Sequence, residues 1–66
     1  MSEAEALRDE LEKINNKLEI AKSNFHFADT REMIDYYTYI IMANEIMYEF
    51  LNRKYKNICK LERRVV

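Results

Sequence analysis

The stretch MIDYYTYIIMANEIMYEF, residues 33–50, places thirteen apolar or aromatic side chains in eighteen positions of a chain with no glycine and no proline. With no breaker inside it, the run reads as helix. At about 100° per residue, two apolar seams lie side by side on that helix. One is Ile34, Tyr37, Ile41, Asn44, Tyr48, Leu51, Tyr55 and Ile58, recurring at alternating spacings of three and four. The other is Met33, Tyr36, Ile40, Ala43, Met47 and Phe50. With Tyr39 and Ile46 the two seams cover roughly two-thirds of the circumference. Only the arc holding Asp35, Thr38, Glu45, Glu49, Asn52, Arg53, Lys56 and Lys60 is clearly polar. A helix packed on a single neighbour needs an apolar stripe little wider than about 100°. This one asks for two neighbours.

The remainder of the chain supplies one of them. Ser2 and Glu5 fit a capping box that opens a first helix. Ala4, Leu7, Leu11, Ile14, Leu18, Ala21 and Phe25 then form a single a/d seam, backed by Glu, Lys, Asn and Arg. The connection falls in SNFHFADT, where Asp29 with Glu32 repeats the capping logic. Phe25 and Phe27 are expected to pin the turn onto the end of the core. The reading is one all-α domain over 1–66: helix one at about 3–23, a turn at about 24–29, and helix two at about 30–62. An antiparallel two-helix hairpin of this kind covers one seam of helix two. A second copy of the chain is the simplest cover for the other, giving a homodimeric four-helix bundle with coiled-coil packing. A groove held for a different protein is the alternative.

Size points the same way. A 66-residue chain sits near the lower limit for burying a self-sufficient core, and such chains usually add a disulfide, a metal or a partner subunit. Cys59 is the only cysteine and His26 the only histidine, so neither an intrachain disulfide nor a four-ligand zinc site is available. No cofactor is expected. A formal net charge of −1 gives no general warrant for nucleic-acid or membrane binding. The chain has neither a leader pattern nor a membrane-length apolar run, and a cytoplasmic setting is the expectation. Acids at Glu3, Glu5, Asp9, Glu10 and Glu12 would lie beside the basic second half of helix two and help set the register.

The groups that could carry chemistry are few. His26 and Asp29 share the turn, but no nucleophile accompanies them, and a turn histidine packed on the phenylalanines is the plainer reading. Glu45 and Glu49 lack the Glu-x-x-His partner of di-metal bundles and read as a solvated charge ladder. The basic end, with Arg53, Lys54, Lys56, Lys60, Arg63 and Arg64, is a candidate contact for an anion or nucleic acid. As a solvated helix end it also suits the macrodipole, which is the preferred reading. Asn44 interrupts an apolar seam, a place where Asn commonly sets register or oligomer state. The five tyrosines read as core-edge residues with wet hydroxyls, and Cys59 as an inert thiol. The candidate surface for self-association or a protein partner is Met33, Tyr36, Tyr37, Ile40, Ala43, Asn44, Met47 and Phe50. No catalysis is expected.

One ordered set of residues goes beyond periodicity. Ala21, Phe25, Asp29, Ile34-Asp35-Tyr36, Ala43, Glu45, Tyr48 and Leu51, ahead of Arg53 and Lys54, resembles the YaaL-like family of small bacterial proteins. That family is a domain of unknown function in Gram-positive spore-formers. Thr30 stands where the family often has proline at the first helical position. The resemblance implies no activity, cofactor or catalytic residue, and an association with recombination and sporulation genes only. A second two-helix family, the sporulation phosphatases acting on aspartyl phosphate in response regulators, is similar in size and form. Its Ser-x-x-x-Asp motif has no counterpart here, because residues 30–40 contain no serine.

Overall fold

The computed structural model describes residues 2–65, with side chains described for residues 2–62. Two helices account for nearly all of it: α1, Glu3–His26, and α2, Arg31–Val65. α1 opens as the capping box requires at its first half. The Ser2 hydroxyl accepts a 3.1 Å hydrogen bond from the Glu5 N–H, satisfying one of the donors that a helix start leaves unpaired. α1 then runs on through Ser23, Asn24 and Phe25 to His26, about one turn beyond the expected end at residue 23. Poor helix formers cost only a few tenths of a kcal/mol each, too little to stop an established helix. With no glycine to adopt a left-handed cap, the end is closed by tighter bonds. The Phe27 N–H reaches Asn24 O and the Ala28 N–H reaches Phe25 O, each at 3.1 Å.

The connection is therefore residues 27–30, shorter than the expected 24–29, and the second cap is displaced by one residue. The Thr30 hydroxyl accepts from the Met33 N–H at 3.2 Å, and Thr30 O accepts from the Ile34 N–H at 3.0 Å. Thr30, not Asp29, is the residue that caps α2. Phe27 is 80% exposed and Phe25 39%, so the two rings do not pin the turn as expected.

The helices pack antiparallel. Residues 17–24 of α1 share a groove with residues 36–44 of α2, and residues 15–22 share the opposite groove with residues 45–49. Near the other end Arg8 lies close enough to Tyr55 to act on its ionisation. The core is the a/d stripe of α1: Ala4, Leu7, Leu11, Ile14, Leu18 and Ala21 are all buried. Opposite them Tyr37, Ile41, Asn44, Tyr48, Leu51, Tyr55 and Ile58 are only half-buried. Among the described residues no side chain is completely enclosed. The resulting body measures 54 × 17 × 13 Å, with a radius of gyration of 15.5 Å; a compact chain of this length would have about 11 Å.

Among the described residues, acids and bases do not bind the two helices directly. The one ion pair among the described residues is Lys13–Glu10 at 3.6 Å, within α1 and exposed. The expected pairing of the acidic start of α1 with the basic half of α2 is absent there, because both sets point away from the apolar contact into water.

Candidate functional site

The chain's most distinctive surface lies on α2, and it exists because α1 covers only one of the two seams. Tyr36, Tyr39, Ala43, Ile46, Met47 and Phe50 are all exposed, with Tyr39 at 74% and Ile46 at 66%. Met33 and Met42 extend the surface, and both are exposed. Of the eight residues proposed from sequence, Met33, Tyr36, Ala43, Met47 and Phe50 stand in water. Tyr37, Ile40 and Asn44 are half-buried and turn toward α1. The exposed line is thus rotated away from α1 relative to the seam read from sequence. Tyr39 and Ile46 belong at its centre. Their signal was present, as apolar residues at the right spacing, but the apolar arc of α2 is too wide for periodicity alone to fix which part faces α1.

One edge of this surface is a shallow groove of about 300 Å³ between the helices. Lys17, Ile20, Ala21 and Asn24 of α1 face Tyr36, Tyr37, Ile40 and Asn44 of α2 across it. Ile20 is exposed and carries the apolar surface from α2 onto α1. Tyr36 and Tyr37 meet edge to face, with ring centroids 5.1 Å apart and planes at 76°, an arrangement that holds both rings in place. Asn44 donates from its side-chain nitrogen to Ile40 O at 2.8 Å, so its amide is satisfied inside its own helix. The groove on the other side of the hairpin is lined by Asn15, Lys22, Glu45 and Glu49 around Leu18 and Tyr48. One side of the hairpin is greasy and the other charged.

Total accessible surface reflects the elongated shape. The chain exposes 5584 Å², whereas a compact monomer of 8.1 kDa exposes about 4,500 Å². The excess, about 1,100 Å², goes with the 54 × 17 × 13 Å shape and is spread over polar and apolar faces alike.

The other candidates are weaker. Arg53, Lys54, Lys56 and Lys60 are exposed along the second half of α2, while the side chains of Arg63 and Arg64 lie outside the described residues. His26 and Asp29 are both exposed at the turn, with no enclosed space beside them among the described pockets. Glu45 and Glu49 border the charged groove, and among the described residues no three acids, histidines or cysteines cluster as metal ligands would. Tyr55 and Cys59 stand one turn apart. Side-chain hydrogen bonding to Cys59, then the charge of its thiolate, pushes the Tyr55 phenol above its ordinary value, and Arg8 pulls against them. Among the described residues no helix is long and apolar enough to cross a membrane. No known protein family, curated protein or solved structure matches the chain.

Proposed function

We propose that the protein is a non-enzymatic helical interaction protein that associates with itself through the exposed face of α2. Two hairpins then form a four-helix bundle in the cytoplasm. The observation that carries this reading is the run of exposed apolar residues from Met33 to Phe50 on one side of α2. A closed point group needs only one self-complementary patch, which makes the twofold pair the simplest use of such a face. The test is absolute mass in solution by light scattering over a wide concentration range, with helicity recorded alongside. A helical dimer that dissociates only on strong dilution is the expected result. A well-folded monomer at every concentration would overturn the reading and leave the face to a different protein.

A further inference from the structure

Resting on that self-association, we infer that the two α2 helices pair antiparallel about a twofold axis at Ala43. The exposed apolar residues of α2 fall on a strict heptad seam, Tyr36, Tyr39, Ala43, Ile46 and Phe50, at spacings of three, four, three and four. About Ala43 the face is self-complementary at its ends, while Ile46, three residues on, falls opposite the partner's half-buried Ile40. Seven residues to either side of Ala43 stand Tyr36 and Phe50, so each end of the seam brings two aromatic rings together. Four to either side stand Tyr39 and Met47, a ring against a thioether. Ala43 meets the partner's Ala43 at the axis, where a methyl side chain lets the two backbones approach.

Charge chooses the orientation. Eleven residues to either side of Ala43 stand Glu32 and Lys54, both exposed and both on the seam side of α2. In the antiparallel pair each Glu32 faces the partner's Lys54, at both ends of a contact on the order of 33 Å long. In a parallel pair Glu32 would face the partner's Glu32 and Lys54 the partner's Lys54. Opposed like charges across an interface are a strong discriminator between arrangements, even where matched pairs add little affinity.

The experiment separates this orientation from self-association itself. In a Cys59→Ser background, full-length chains carrying Glu32→Cys are mixed with chains carrying Lys54→Cys. Mass is read first without oxidant, and cross-linking follows under mild oxidation. Dimeric mass, a covalent product in the mixture, and little product from either chain alone are expected, since a disulfide needs α-carbons within about 7 Å. Dimeric mass with a product from Lys54→Cys alone would overturn the antiparallel pairing and leave self-association standing. Monomeric mass throughout would overturn both. A charge test checks the same geometry without a cross-link. Lys54→Glu should raise the dimer Kd by about five- to tenfold, from two rim pairs turned repulsive, and adding Glu32→Lys should restore it. Failure of that rescue would count against the pairing of these two residues.

Discussion

Replacing Ile46 by glutamate separates the folding of the hairpin from its association. In the single hairpin Ile46 is 66% exposed. Glutamate is a better helix former than isoleucine, so the helix itself loses nothing. If two copies meet on this face, the exposed fraction of Ile46 is buried on pairing. Complete burial of an isoleucine side chain is worth about 1.5–3 kcal/mol. Two-thirds of that is about 1–2 kcal/mol per chain, and the twofold counts it twice, giving about 2–4 kcal/mol per dimer. At about 1.4 kcal/mol per tenfold in affinity, the dimer Kd rises between about thirtyfold and several hundredfold. The cost of enclosing a carboxylate makes this a lower bound. Light scattering and sedimentation across a dilution series measure the shift, with circular dichroism reporting helicity at each concentration. A Kd within twofold of the parent would refute the reasoning, because a residue this exposed cannot lie in an interface and leave it unmoved.

Four further outcomes follow from other parts of the molecule. Ile14→Ala, in the α1 stripe, should lower stability by about 2–4 kcal/mol and the melting temperature by roughly 10–25 °C; a shift of under about 3 °C would mean that the stripe is not the core. Thr30→Ala should cost about 1 kcal/mol and Asp29→Ala less than half of that, read from denaturant midpoints, because the Thr30 hydroxyl caps α2. Asn44→Leu should raise the melting temperature with mass unchanged, since Asn44 bonds to Ile40 O and faces the groove beside α1; a mixture of masses would instead assign it the register role. The raised Tyr55 pKa means that its contribution to stability is complete below its ordinary value of 10.0 and is lost as pH rises from there through the folded value. Tyrosinate absorbance should show the Tyr55 phenol titrating above 10.0 in the parent and lower in Cys59→Ala.

The sequence made α1 legible because a single stripe has a single phase. Ala4 through Ala21 repeat at alternating threes and fours, and one neighbour is enough to bury all six. The end of α1 was less legible, since Ser23 and Asn24 signal a stop only weakly and no glycine or proline enforces one. At the start of α2 both Asp29 and Thr30 are good caps. The Glu32 spacing favoured Asp29, yet the hydrogen bond belongs to Thr30, a difference of one residue that capping patterns do not resolve. The candidate surface was legible in kind and blurred in position. Two adjoining seams make an arc so wide that α1 could settle over any part of it. It settles over Tyr37, Asn44, Tyr48 and Tyr55, which leaves Tyr39 and Ile46 furthest into water.

The distribution of exposed residues argues for use of that face more strongly than their number does. Exposed apolar side chains are ordinary on any small protein, where they stand singly among polar ones. Here they gather on one side. Ile20 of α1 joins Tyr36 of α2 across the groove, and the heptad line continues to Phe50. On the other side Asn15 and Lys22 face Glu45 and Glu49. A lone hairpin would gain from a second polar row in place of Tyr39 and Ile46, at little cost to its core, because both are mostly exposed. Under the proposed pairing Tyr39 and Ile46 are covered, and the acid and base placed symmetrically about Ala43 meet across the face. In that proposed pair the charged groove of Lys22, Glu45 and Glu49 lies on the outer surface, facing water.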